Sequence, residues 1–195
     1  MRITDVAHGQ TPSQTVGPFF HFALPKFEGP VLVNDKTKGE RITIEGRVLD
    51  GDGQPLNDAM IEIWQANADG RYDHPEDKQD KPLDPTFHGF GRCATDNDGR
   101  FSFQTIRPGA VPGPGNTLQA PHVNVTVFAR GMLKQLVTRM YFEDEKLNPD
   151  DPILGRITDE ARRSTLVARR KNGAAGPFVF DIVLQGKGET VFFDV

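Results

Sequence analysis

From Arg41 onward the apolar residues of this chain fall in short alternating runs, and glycine, proline and aspartate cut each run before a helix could close several turns. Ile42, Ile44 and Val48 alternate with Thr43, Glu45 and Arg47, and the run stops at Asp50-Gly-Asp-Gly. A period of two is the signature of a strand with one buried face. Ala59 to Gln65 reads as a second strand, with Ile61 and Ile63 on one face and Met60 and Trp64 on the other. The turn Asp96-Asn-Asp-Gly leads into Phe101-Ser-Phe-Gln-Thr, whose two phenylalanines point inward. Two longer strands are expected over about 122–130 and 135–142, and Phe178 to Leu184 and Thr190 to Asp194 close the chain as strands. Residues 159–169 read as a helix, capped by Thr158 or Asp159, with the basic residues at 169–171 suiting its negative C-terminal end. Seven or so strands with one short helix predict an all-β fold, a two-sheet β-sandwich with long loops.

The first 40 residues break this pattern. Thr11-Pro-Ser-Gln-Thr-Val-Gly-Pro-Phe-Phe disfavours both helix and central strand, yet Phe19, Phe20, Phe22 and Leu24 are too apolar to stand free in water. Residues 1–40 are therefore expected to form an extended N-terminal arm packed on the body or on a partner chain, and 41–195 a single sandwich domain. A length of 195 residues suits one core. Residues 66–90 form a long Gly-, Asp- and Pro-rich excursion without a period, a length at which loops are usually functional. The formal net charge of −4 argues against a general nucleic-acid binder. No apolar stretch approaches a membrane span, the N-terminus lacks a signal-peptide core, and the single cysteine, Cys93, fits a reducing compartment. A cytoplasmic location is the expectation.

Chemistry-bearing residues are few. His122 and Asn124 lie two apart in a strand, so they share a face, while Val123, Val125 and Val127 take the other. Two imidazoles at such positions would present themselves to a metal, but the second here is an amide, a weak neutral ligand. Tyr72, His74, His88 and His122 complete the candidate donor set. Paired cysteines and His-x3-His spacing are absent, Gly113-Pro-Gly115 is too proline-rich to cradle phosphate, and no Gly-x-Ser-x-Gly elbow occurs. The residues alone describe a β-sandwich with an incomplete metal site.

Several linked segments add to this. Trp64-Gln-Ala-Asn-Ala-Asp-Gly-Arg-Tyr72, Leu83-Asp-Pro-Thr-Phe-His-Gly-Phe-Gly-Arg92, Thr95-Asp-Asn-Asp-Gly and Thr105-Ile-Arg-Pro-Gly109, in that order, resemble the intradiol ring-cleaving dioxygenases over nearly the whole chain. Thr11-Pro-Ser-Gln-Thr-Val-Gly-Pro18, Phe128-Ala-Arg-Gly131 and Gly188-Glu-Thr-Val-Phe-Phe-Asp194 are similar to the α-type chain of the two-chain members that open protocatechuate. The resemblance implies a non-haem ferric ion held by two tyrosines and two histidines, with hard phenolate oxygens favouring the ferric state. The first tyrosine matches Tyr72, but the second falls on Val111. The two histidines fall on His122 and Asn124, and the arginine before that strand falls on Gln119. Two of the four ligands are lost, and Tyr141, the only other tyrosine, lies mid-strand. The resemblance therefore implies no catalytic residue and no iron in this chain alone. Fe(III) is expected in a β-type partner, in an oligomer of αβ protomers that converts protocatechuate and O2 to 3-carboxy-cis,cis-muconate. Thr15, Gly17, Pro18 and Arg130 match the edge of the substrate pocket at the αβ interface, where Arg130 would attract a carboxylate. The alternative is a non-enzymatic β-sandwich module that binds small aromatic acids.

Overall fold

The computed structural model describes residues 11–17, 19–171, 173 and 176–194. Eleven strands are present among them: β1 Arg41–Leu49, β2 Met60–Trp64, β3 Phe90–Ala94, β4 Arg100–Ile106, β5 Val111–Pro112, β6 Leu118–Gln119, β7 His122–Phe128, β8 Leu136–Phe142, β9 Val167–Arg170, β10 Phe178–Val179 and β11 Ile182–Val183. Two short helices accompany them, α1 Phe20–Ala23 and α2 Glu160–Ser164.

The strands form two layers. In one, β1 pairs antiparallel with β4 and parallel with β10 and β11. In the other, β2 lies between β3 and β7, and β8 follows β7, all antiparallel. Strand β9 joins the layers along one side, parallel to β8 and antiparallel to β10. The alternation expected from the sequence explains the filling. Ile42, Ile44, Phe101 and Phe103 from the first layer meet Ile61, Ile63, Val123, Val125, Val127 and Met140 from the second, all buried in one cluster. The all-β sandwich is thus the observed fold.

Three local readings are corrected by the structure. The helix expected over 159–169 is only Glu160–Ser164; Asp159 does cap it, accepting a hydrogen bond from the Arg162 backbone N–H at 3.1 Å. A turn at Thr165-Leu166 leads into β9 at Val167, because Leu166 and Ala168 are drawn into the cores while Arg169 stays exposed, and pairing with β8 and β10 overrides the helical pattern. The single strand expected from Phe178 to Leu184 is two short ones, both parallel to β1 and separated at Phe180-Asp181, and Thr190 to Asp194 contributes only a bridge between Phe193 and Val137. In the arm, one helical turn forms at Phe20–Ala23 instead of continuous extended chain. Beyond it, Glu28 and Pro30 accept backbone hydrogen bonds from Arg92 and Gln104, so this part of the arm lies on the edges of β3 and β4.

A second, smaller cluster (Ala120, Tyr141, Leu154 and Leu166) packs outside the β7–β8 layer. Its polar hub is Asp151, 1% exposed, which accepts from the backbone N–H groups of Ala120, Ile153 and Leu154 and from the Tyr141 hydroxyl. His122 borders this cluster, its ring 5.7 Å from that of Tyr141 and its Nδ1 2.8 Å from the Ala120 carbonyl. Burial, reinforced by the nearby positive Arg139, pulls the His122 imidazole down to about 4.

Two measurements check this architecture. Phe103→Ala empties the centre of the main cluster and should cost about 3–5 kcal/mol, read from the shift of the urea midpoint. The second concerns pH. In the unfolded chain His122 takes up a proton near 6.5, whereas the folded chain resists until about 4. The stability it contributes is complete above about pH 6.5 and is lost as pH falls towards 4, up to about 3 kcal/mol. A His122→Gln variant should therefore show a shallower fall in stability between these limits than the native chain, and parallel curves would refute the assignment.

Candidate functional site under an open cleft

The outer face of the second layer carries the site. Antiparallel register sets Asn124 of β7 opposite Trp64 of β2 on one side and Arg139 of β8 on the other, and sets His122 opposite Tyr141. Residues directly opposite share a face, so Trp64, Asn124 and Arg139 form a row. The valines between them point into the core.

Tyr72 reaches this row from the 66–90 excursion, which is ordered by Asn67. That side chain is 3% exposed; its Oδ1 accepts from the Asp69 and Arg71 backbone N–H groups, both at 3.0 Å, and its Nδ2 donates to the Pro82 carbonyl at 2.8 Å. Next to it Gly70 has φ +80, and a Cβ there would sit 2.0 Å from the Ala110 carbonyl oxygen. Only glycine fits so close to the segment that carries Val111. The Tyr72 ring then stacks on Trp64 with centroids 5.7 Å apart.

The structure brings the four positions matched by resemblance to the iron ligands into one place, along with Gln119. The Tyr72 hydroxyl lies 3.5 Å from His122 Nε2. The Ala120 carbonyl holds the proton on His122 Nδ1, leaving the Nε2 lone pair directed at the phenol. Asn124 donates from Nδ2 to the Tyr72 hydroxyl and to the Trp64 carbonyl, both at 3.2 Å. Val111 of β5 is paired with Gln119 of β6. Gln119 donates to the Pro112 carbonyl at 2.8 Å and accepts from Arg139 at 2.6 Å. Above them opens a cleft of about 710 Å³, with His74, Glu76 and Lys78 among its lining.

These residues do not fit a ferric ion. Burial raises the Tyr72 phenol above its ordinary range, outweighing the hydrogen bond from Asn124 that favours the phenolate, and Tyr72 is the one phenol beside His122 and Asn124. Asn124 turns an N–H donor, not an acceptor, towards the phenol oxygen. Val111 offers only hydrocarbon. Where a donor set would converge, the side chains bond to one another instead. Among the described residues no group of three or more His, Cys, Asp or Glu side chains could hold a metal ion.

The other candidates are dispersed. His74 lies at the cleft rim and its Nδ1 accepts from the Glu76 backbone N–H at 3.2 Å. His88 pairs with Asp73 at 2.6 Å on the exposed surface. Thr15 meets the residue after Arg130: its hydroxyl accepts from the Gly131 backbone N–H at 2.8 Å, while Arg130 forms an ion pair with Asp58. Gly17 follows in a left-handed turn at φ +70, and Pro18 lies outside the described residues. This corner is at the far end of β7 from His122, six residue steps or roughly 20 Å away. Sequence reasoning did not single out Arg139 or Asp151. Arg139 has the same strand parity as Tyr141, but only the β7–β8 register puts it beside Asn124.

Comparison with known proteins agrees with this geometry. A family model described as Dioxygenase matches residues 16–186. The chain is 42% identical to the protocatechuate 3,4-dioxygenase alpha chain of Burkholderia cepacia, over 95% of this chain and 98% of that one. It is 44% identical to the beta chain from the same organism, over 91% of this chain and 77% of that one. Among solved structures, the dioxygenase domain of a dioxygenase carbohydrate-binding protein fusion from Streptomyces sp. SirexAA-E superposes with a TM-score of 0.63 at 29% identity, covering 91% of this chain and 99% of that domain. With the family model spanning most of the sequence and a relative 42% identical over nearly the whole chain, this chain belongs to the intradiol ring-cleaving dioxygenase family.

Proposed function

We propose that this chain is the α subunit of a protocatechuate 3,4-dioxygenase, which holds no iron of its own and completes the pocket of an iron-bearing β subunit. The observation that carries this is the set of side chains at the former metal position. Overall identity does not separate the two chain types, since a beta chain matches at 44% and an alpha chain at 42%. Val111 and Asn124 do separate them, because neither can supply the anionic or imidazole donor that the iron chemistry needs. A chain with this fold and without these donors takes part in ring cleavage through its surface. A stand-alone binding module is not favoured by such relatives.

The surface proposed for that task is the corner where the arm meets the end of β7. Thr15 is tied to the Arg130-Gly131 turn, and Val16, Phe19 and Leu133 are large apolar side chains exposed to water in the free chain, Phe19 by 76%. An exposed apolar group of this kind is what a partner chain covers. Thr15, Gly17, Pro18 and Arg130 then line the mouth of the partner's pocket. Asp58 orients the Arg130 guanidinium, whose side chain stays 62% exposed. Ferric iron in the β subunit supplies the chemistry that makes the ring susceptible to O2. This chain contributes shape and a positive charge that draws in the carboxylate of protocatechuate.

Two experiments test the proposal. Purified alone, the chain should be colourless and contain no stoichiometric iron; copurified with a β subunit, the pair should be coloured and consume O2 with protocatechuate. Iron and ring cleavage by the lone chain would overturn it. In the pair, Arg130→Gln should raise KM about three- to tenfold with little change in kcat, and the increase should shrink at high salt. An unchanged KM at low salt would remove Arg130 from the pocket mouth.

A further inference from the structure

At the corner where the arm meets the end of β7, one ion pair is built unlike the others. Arg130 Nε lies 2.5 Å from Asp58 Oδ2; the arginine side chain is mostly exposed, whereas that of the aspartate is 14% exposed. The other arginine pairs among the described residues take two forms. Arg47 with Asp181, Arg100 with Asp98 and Arg162 with Glu189 leave both partners partly in water, whereas Arg92, Arg107 and Arg170 are themselves drawn inside. Asp58 Oδ2 is shielded from water and receives no aligned hydrogen bond among the described residues, so charge holds this pair together.

The fold fixes Asp58 in this place. The last β2–β7 pair is Met60 with Phe128, and two further residues on each chain bring Asp58 opposite Arg130. Ala59 is buried and locked to Thr95, whose hydroxyl accepts from the Ala59 N–H at 3.0 Å and donates to its carbonyl at 3.2 Å. On the far side of Arg130, the Gly131 N–H is taken by Thr15. A carboxylate set back from water is poorly screened, so its field reaches the guanidinium and any anion that approaches it. Such an anion meets a cation with a counter-charge close behind. Contact with the guanidinium remains, while attraction at longer range is largely cancelled.

Protocatechuate carries one carboxylate. Ring opening with both atoms of O2 turns the two hydroxyl-bearing carbons into two more, so at neutral pH two protons are released and the product leaves with three negative charges. Electrostatic free energy is proportional to ligand charge, so a factor in affinity for the substrate becomes its cube for the product. An uncompensated Arg130 would therefore hold product more firmly than it gathers substrate.

We propose that Asp58 is a counter-charge that lets Arg130 receive the substrate carboxylate without retaining the tricarboxylate product. This role rests on the α-subunit reading, with Arg130 at the mouth of the partner's pocket.

In the αβ pair at about 20 mM ionic strength, where screening is weak, O2 uptake gives KM for protocatechuate and the inhibition constant of added 3-carboxy-cis,cis-muconate. A unit charge roughly 8 Å away in water changes affinity about twofold per ligand charge. Asp58→Asn, which keeps the shape, should lower KM about twofold and the product inhibition constant about eightfold, and both differences should vanish at about 1 M salt. The methyl ester of protocatechuate, which has no carboxylate, should inhibit native and variant pairs equally. Asp58→Ser should behave as Asp58→Asn does, and replaces it if that variant does not assemble with the β subunit. A product constant that falls no further than KM, a KM that rises, or an equal gain for the ester overturns the counter-charge. If Arg130→Gln leaves KM unchanged, Arg130 is not at the pocket mouth and the counter-charge falls with that reading. If Arg130→Gln raises KM while Asp58→Asn shifts neither constant, the counter-charge alone fails.

Discussion

The two-residue period of β7 is the constraint on which both core and site depend. Val123, Val125 and Val127 enter the main hydrophobic cluster, and that placement forces His122 and Asn124 to the outer face. A slip of one residue would expose three valines and bury an imidazole and an amide in hydrocarbon, so the register is strongly held. Because Trp64 and Arg139 flank Asn124 in neighbouring strands, the same register assembles the floor of the cleft. Burial of the core and geometry of the site are thus one decision made by the strand pairing.

The rest of the site is delivered by a loop that has little regular structure but is far from loose. Asn67 satisfies backbone groups on both sides of the excursion, and Gly70 lets that loop close against Ala110. These contacts bring Tyr72 over the sheet from eight residues beyond Trp64, so that the two rings stack. The polar side chains on the floor of the cleft are bridged by hydrogen bonds. Asn124 joins Trp64 to Tyr72, and Gln119 joins Pro112 to Arg139. These bonds tie β2, β7 and β8 to the loop that carries Tyr72 and to Pro112 of β5.

The division of labour in the molecule follows from the length of β7. One end carries the cleft, and the other carries the Arg130 turn with the arm residue Thr15 attached to it. The arm therefore meets the sheet away from this chain's own cleft, and the exposed side chains of Val16 and Leu133 lie beside that contact in sequence.

Alternation from Ile42 to Val48 and the inward pair Phe101 and Phe103 were legible because a strand's two faces differ in burial, and that difference is written in residue type. The motifs around Tyr72 and His122 identified the family, and Val111 and Asn124 could be read as residues that supply no anionic or imidazole donor, because that capacity belongs to the side chain itself. The helix expected through Arg169 was misread because Leu166 and Ala168 suit either periodicity in isolation, and only the edges of β8 and β10 decide for a strand. The place of Arg139 beside Asn124 was equally hidden. Which side chains lie beside an arginine depends on which strands are neighbours, a long-range relation that local sequence does not encode. The sequence by itself determined the fold class and the family, because burial alternation and motif order are written in residue type; the tertiary structure alone decided the register, the meeting of Thr15 with the Arg130 turn, and the place of Arg139 at the floor of the cleft, because strand pairing joins residues far apart in the chain.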